Sequence, residues 1–292
     1  IAAVMARRVR GALAAGLVLL AGLALAWGIQ DARRCRVSVL DVGEGNAVLV
    51  QAQRTHVLVD AGSEFRAEDT LRLMRAEGVN QLDVLVLTHA DAQHMGGAAS
   101  VMRELAVGEI WVPEPIWSSP VMKKTLEQAM QSGIPVRRLK EGDGGDWPGH
   151  VAWEVLWPPQ SVKMSCADDA SLVMRVARFG GAVLLAGDAG GEQEKAMKDR
   201  GCSLAASVLV AGRHGAAEAT SGDFLEEVRP RDGVFSAGPD AEGRHPDEAV
   251  LERVALRGAR CWRTDQQGTI QVELAGAPVR WPDTGIRIWA SP

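Results

Sequence analysis

His89, Asp91 and His94 stand within six positions of one another, directly after the apolar run LDVLVLT at 82–88. Imidazole nitrogens and carboxylate oxygens are the ligands of hydrolytic Zn²⁺ or Mn²⁺ sites. Groups of the same kind recur at the same place relative to an apolar run. Asp41 follows VSVL, Asp60 follows VLV, Asp188 follows AVLLAG, and His214 follows SVLVAG with one residue between. His245 comes after the apolar run at 232–236 and its loop. Strand ends meet at one rim of a sheet, and rigid strands place loop residues accurately, so this spacing predicts one cleft lined with metal ligands. A carboxylate shared by two ions holds them about 4 Å apart, a pair suited to gripping a phosphate and acidifying an attacking water.

Such groups need a scaffold that gathers strand ends. Apolar runs predict strands at 38–43, 57–60, 82–88, 109–112, 135–139, 151–157, 207–212, 232–236, 260–264 and 269–274. A hairpin around Gly180-Gly181 joins 171–177 to 182–188. Helical spacing marks 68–77, 95–105, 120–132, 190–199, 221–228 and 246–257. Strands alternating with helices over some 240 residues predict a layered α/β domain with helices covering the sheet faces. Asp-Ala-Gly occurs after a strand at 60–62 and again at 188–190, a hint of two similar halves.

Apolar residues make up 47% of the 292, enough for a sizeable core, and the net charge is −5. That balance excludes a general nucleic-acid binder, whose surface is basic. The densest basic stretch of the globular part is Lys123, Lys124, Arg137, Arg138 and Lys140, which would contact phosphates or simply be solvated. Trp111 or Trp117 nearby would stack on bases, although core packing is the commoner role of tryptophan. The four cysteines, at 35, 166, 202 and 261, show no metal-finger spacing, and their pairing is open. Residues 11–29 carry no charge and at about 1.5 Å per residue are long enough to span a bilayer core. They read as a retained membrane helix or as a cleaved signal peptide, and the arginines on both flanks do not orient them. The first residue is Ile, which suggests a piece of a longer protein.

Several motifs then occur in order: LDVGEGNAVLV, VLVDAG, LDVLVLTHADAQHMGG, SLVMRV, LLAGD, VLVAGRHGAAEATSGDFLEEVRP, SAGPDAEGRHP and CWRTDQQGTI. Together they resemble the C-terminal metallo-β-lactamase-like domain of the ComEC family of competence proteins, over roughly residues 36–275. The resemblance implies an α/β fold, a metallo-β-lactamase-like αββα sandwich preceded by one transmembrane helix. Residues 1–35 would hold that helix and its flanks, 36–275 the domain, and 276–292 a C-terminal tail. The family's function implies a nuclease that degrades the non-transported strand during DNA uptake. It also implies a place at the cell membrane with the soluble domain on the extracytoplasmic side. The channel portion would lie upstream, outside this chain. DNA is the expected partner, with no small-molecule cofactor.

Carried over by position, the metal ligands are His89, Asp91, His94, Asp188 and His214. Asp41, Asp60 and Gln93 would support them, and Asp91 and His245 would take part in catalysis. The ion would be Zn²⁺ or Mn²⁺. Three positions depart from the family. Gln93 and Asn46 each replace an Asp, and Gly212-Arg213-His214-Gly215-Ala216 replaces Pro-His-His-Gly-Ser. Gln offers only a neutral carbonyl oxygen. Arg213 adds a cation that cannot deprotonate, and it would repel an ion or hold a phosphate in a bidentate grip. One ion is therefore expected rather than two. The alternatives are a catalytically degenerate domain that guides DNA, or a hydrolase of a small ester or phosphodiester.

Overall fold

The valine- and leucine-rich runs form two stacked sheets in the computed structural model, which describes residues 35–161, 163–238, 245–275 and 286–291 together with Gly16, Val18, Leu19 and Gly22. Eight strands make the first sheet: β1 (Cys35–Val39), β2 (Val48–Ala52), β3 (Thr55–Val59), β4 (Gln81–Val86), β5 (Ala106–Pro113), β6 (Val136–Leu139), β14 (Thr269–Leu274) and β15 (Ile286–Ser291). Their spatial order is β15-β14-β1-β2-β3-β4-β5-β6. The second sheet holds β7 (Gly144–Trp147), β8 (Val151–Trp157), β9 (Val173–Arg178), β10 (Gly181–Leu185), β11 (Val208–Val210), β12 (Asp232–Phe235) and β13 (Arg260–Arg263). It runs β13-β12-β11-β10-β9-β8-β7.

The central strands of both sheets are buried on both faces. In β3, Val57 and Val59 enter the inter-sheet core, while Leu58 between them packs in the outer layer. In β10, Val183 and Leu185 face inward, and Ala182 and Leu184 face outward. Period-2 alternation with apolar residues on both sides produces the continuous runs seen in the sequence. Helices α1 (Ala67–Ala76), α2 (Ala92–Met95), α3 (Ala98–Glu104) and α4 (Pro120–Gln131) belong to the layer over the first sheet, where Leu71, Met74, Met95, Val101 and Met122 join one core cluster. Helices α5 (Gly191–Asp199), α6 (Gly222–Val228) and α7 (Glu248–Leu256) cover the second with Met197, Phe224 and Val250. The layers are therefore α, β, β, α, as the resemblance implies.

Four adjacent strands in each sheet are parallel. β3, β4, β5 and β6 run in one direction, as do β10, β11, β12 and β13. Parallel strands put all their C-terminal loops on one edge, where ligands of α/β sheets bind.

Several details bear on the sequence reading. Within the expected C-terminal tail, residues 286–291 form β15, which pairs along all six of its residues with β14 and extends the first sheet. The helix expected at 95–105 forms after the Gly96-Gly97 turn as α3, and a separate short helix, α2, precedes that turn. A Cβ on Gly97 would collide with the Ala61 carbonyl, so the chain crosses too closely for any side chain. All four cysteines are unpaired, and burial pushes the Cys35 thiol up to about 12. Trp111 is 4% exposed and packs with Trp147 and Trp153, which removes it as a base-stacking surface. The expected membrane helix at 11–29 lies outside the described residues apart from Gly16, Val18, Leu19 and Gly22. Among described residues no helix is long and apolar enough to cross a membrane.

The Gly97→Ala variant is expected to lose about 1–3 kcal/mol of stability, the usual cost of overpacking a tight contact. The readout is the urea unfolding midpoint. An unchanged midpoint would show that the Ala61 loop yields freely.

Candidate metal centre

The rim where the two parallel parts meet carries the polar residues. Asp60 follows β3, Thr88 and His89 follow β4, Asp188 follows β10, His214 follows β11 and Ser236 follows β12. Imidazole nitrogens of His89 and His94 and a carboxylate oxygen of Asp188 all lie within 4.8 Å of one another. His94 Nε2 is 3.1 Å from Asp188 Oδ1, and His89 Nε2 is 3.7 Å from Asp188 Oδ2. On the far side, His214 Nε2 approaches His94 Nε2 to 3.3 Å. On the near side, Asp168 Oδ1 lies 3.8 Å from His89 Nε2. The groups thus follow one another as Asp168, His89, Asp188, His94 and His214.

Each imidazole is oriented through its other nitrogen. His94 Nδ1 meets Asp60 Oδ2 at 2.8 Å, His89 Nδ1 meets Thr88 Oγ1 at 3.0 Å, and His214 Nδ1 meets the Ser236 carbonyl at 3.0 Å. Fixing Nδ1 in this way turns Nε2 toward the cluster, as in metal-binding histidines. His89 Nε2 is buried and completes no hydrogen bond, and Asp188 Oδ1, buried 3.1 Å from His94 Nε2, has no other partner. Leaving such atoms unpaired is costly unless something else binds them. Two imidazoles and a carboxylate, oriented from behind, fit a divalent transition-metal cation.

Asp60 is the anchor of this arrangement. Its buried carboxylate accepts from the Thr88 backbone N–H at 2.8 Å, from Thr88 Oγ1, and from Asn46 Nδ2 at 3.2 Å, as well as facing His94. The electrostatics follow from burial and from these charges. Burial alone would lower His94, but the Asp188 and Asp60 carboxylates outweigh it and hold the imidazole well above its ordinary value. Burial and the neighbouring His94 push His89 down to about 4. Burial likewise lowers His214. Asp188 is buried too, yet the surrounding histidines hold it below the usual carboxylate range.

The other expected residues take different places. Asp91 caps α2, its Oδ1 accepting from the Gln93 N–H at 2.7 Å, and it does not join the convergent trio. Its charge is still felt at His89. Gln93 is exposed and lines a groove beside the site. His245 is exposed, near enough for its charge to act on His214. Asp41 binds the Gly43 N–H and fixes its own loop. Lys124 lines the same groove as Gln93, and Arg137 stacks over Trp111 and Trp153 at the sheet edge. Lys123 and Arg138 are exposed. Arg213 is beside the cluster, its Nη2 2.9 Å from Asp168 Oδ2.

Asp168, Thr88, Ser236 and Ser171, whose Oγ accepts from the Asp188 N–H at 2.8 Å and lies 3.4 Å from His89 Nδ1, were not singled out from the sequence. Only Asp168 had a visible signal, as an acidic residue just before the apolar run at 171–177. Its neighbour Asp169 secures that loop by accepting from Ser165 N and Oγ, Cys166 N and Gln193 Nε2.

Over residues 40–238 the sequence matches the profile of the Metallo-beta-lactamase superfamily, and the chain belongs to that superfamily. Within it, the similarity is to competence proteins. The chain is 29% identical over 256 residues to "ComE operon protein 3" of Bacillus subtilis (strain 168), covering 80% of this chain and 32% of that protein. It is 33% identical over 246 residues to "Competence protein ComA" of Neisseria gonorrhoeae, covering 84% of this chain and 33% of that one. It thus spans about a third of the length of these curated relatives. Among solved structures, CmlA, a diiron β-hydroxylase from Streptomyces venezuelae, superposes with a TM-score of 0.54 at 12% identity, covering 82% of this chain and 54% of that one. That likeness concerns the fold.

Two outcomes are expected here. Asn at position 60 supplies one oxygen where several donors converge, so Asp60→Asn should weaken Zn²⁺ or Mn²⁺ binding by about 10–100-fold, as measured by calorimetric titration. Equal affinity in the variant would remove Asp60 as the orienting group. For Asp169, burial alone would raise the carboxyl, but the Ser165 and Cys166 donors hold it below its ordinary value. A depressed carboxyl adds stability above its unfolded-state value and loses it as pH falls through the folded value. Unfolding midpoints should therefore drop on acidification below about pH 4, and less steeply in Asp169→Asn.

Proposed function

We propose that this chain is a metal-dependent phosphodiesterase domain that acts on DNA during uptake into the cell. The observation that carries the reading is the convergence of the orphaned His89 Nε2 with Asp188 Oδ1 and His94 Nε2, each imidazole braced from behind. A bound divalent ion would supply Lewis acidity to a phosphate oxygen. His89, His94 and Asp188 would hold it, with His214 beside them. Asp91, on the exposed side of the same loop, is free at its second oxygen to accept a proton from an attacking water. Exposed His245 is suited to protonate a departing oxygen. The similarity to competence proteins supports DNA as the substrate. It also supports membrane attachment through 11–29, an upstream channel, and a position on the extracytoplasmic face.

A groove of about 690 Å³ adjoins Ala92 and Gln93 and is lined by Phe65, Arg66, Val121 and Lys124. The Phe65 ring is 97% exposed. An exposed ring between basic side chains suits a single strand, with a base stacked on Phe65 and phosphates near Arg66 and Lys124. Lys124 also pairs with Glu64 at 3.8 Å, so the groove is only weakly basic.

A second reading, a domain that guides DNA without cutting it, is favoured by Gln93 lying outside the cluster and by Arg213 pairing with Asp168. One assay separates the two. The chain is loaded with Mn²⁺ or Zn²⁺, its metal content is measured, and single- and double-stranded DNA are offered with and without EDTA. Cleavage that stops with EDTA and falls at least 100-fold in His94→Ala supports the nuclease. Binding without cleavage supports the guide. Cleavage that survives EDTA sinks the metal-dependent reading. Phe65→Ala should raise KM for single-stranded DNA about 10-fold with kcat little changed, because one base–aromatic stack contributes about 1–3 kcal/mol to binding.

A further inference from the structure

Arg213 is held at three points beside the metal centre. Nη2 donates to Asp168 Oδ2 at 2.9 Å, Nη1 to Glu218 Oε1 at 3.2 Å, and Nε to the Asp188 carbonyl at 3.1 Å. The backbone is committed to this placement. Arg213 (φ 48°, ψ 42°) and His214 (φ 55°, ψ 16°) are successive left-handed residues, and neither is glycine. Gly212 before them can carry no Cβ, which would strike the Ala189 carbonyl. Strain of this kind persists only where surrounding contacts over-determine it. One residue of the strained pair faces His94 and the other Asp168, at opposite ends of the cluster.

The consequence lies in Asp168. Its Oδ1 faces His89 at 3.8 Å, where it would be the natural additional ligand for a second ion, but its Oδ2 already carries the guanidinium. A guanidinium cannot lose its proton to make room. A second dication at that end would sit a few ångströms from a fixed positive charge, in a partly buried setting that screens poorly. Meanwhile three of the five guanidinium N–H groups are used, and the side chain is 23% exposed, so donors remain for an oxyanion.

We propose that the centre takes one divalent ion, on His89, His94 and Asp188, and that Arg213 supplies the second positive charge by binding a phosphoryl oxygen of the substrate. This rests on the metal-dependent reading above and names what replaces a second ion. Asp168 and Glu218 are then positioning residues for the guanidinium, and Asp168 is withdrawn from metal binding.

The test is metal stoichiometry, read without any activity. The full chain is stripped with chelator, dialysed, and titrated with Mn²⁺ and separately with Zn²⁺, with elemental analysis of the loaded protein. One equivalent per chain is expected in the parent, and two in Arg213→His, where Asp168 is released and an imidazole is added. The parent loaded with one ion should then bind inorganic phosphate at least 10-fold more tightly than Arg213→Ala, with Arg213→Lys between them. Two tight equivalents in the parent would overturn the proposal while leaving the metal-dependent reading intact. No tight equivalent in the parent would overturn both. Equal phosphate affinity in the parent and Arg213→Ala would overturn the role given to the guanidinium. The parent's stoichiometry decides the first point even if a variant fails to fold.

Discussion

His94 sits between two aspartates, one delivered by each sheet, and the rest of the site is arranged around that contact. Asp60 comes from the end of β3 and meets Nδ1, while Asp188 comes from the end of β10 and meets Nε2. The histidine, at 1% exposure, is therefore the polar rivet at the rim of an otherwise apolar interface filled by valines. A buried carboxylate is tolerable only when its oxygens are satisfied. Asp60 meets that condition by collecting donors from Asn46 and Thr88, which come from two different loops. Asp188 does not meet it within the protein alone. The contrast separates a carboxylate that builds the site from one that is offered to a cation.

The topology explains why so few residues suffice. Parallel strands send every following loop to the same edge, so a strand and the first residues after it define a ligand direction. Asp-Ala-Gly ends a strand in each sheet, and the two aspartates reach the two nitrogens of one ring. In both copies the glycine allows close approach. Gly62 has φ +70° and donates to the Asn46 carbonyl, and Gly190 lies against the Arg213 guanidinium. The repeated triplet corresponds to equivalent positions of two partly parallel sheets, which is why it carries chemistry in both.

How much of this was legible in the sequence depends on the physical signal each part leaves. Strands buried on both faces leave long apolar runs, so β3, β4, β8 to β12 and β14 were readable. β7, with the sequence GGDW, and the edge strand β15 are not apolar runs, and they become strands only because β8 and β14 offer them partners. β2 was hidden by its closeness to β3 across a tight turn. In the site, strand-end histidines and Asp188 announce themselves, because a polar group directly after a buried strand is conspicuous. Thr88, Ser171 and Ser236 do not, since a hydroxyl or a carbonyl that steadies an imidazole has no pattern of its own. Asp168 sits in a loop ordered by Asp169, so its position comes from tertiary contacts that no local spacing encodes.

The three departures from the family pattern differ in weight once geometry is known. Asn46 donates through Nδ2 to Asp60 Oδ2, and an aspartate at that distance would place two buried carboxylates side by side. A neutral donor there satisfies Asp60 without like-charge repulsion, so this change supports the anchor. Gln93 is exposed in the groove, and it is not one of the convergent trio. Arg213 alters the charge seen by the cluster directly, because it pairs with Asp168 next to His89. Substitutions that look equally damaging in a motif are therefore unequal in the folded chain. The one that matters is decided by which carboxylate it pairs with, and Asp168, the partner that makes Arg213 consequential, lies outside the motif.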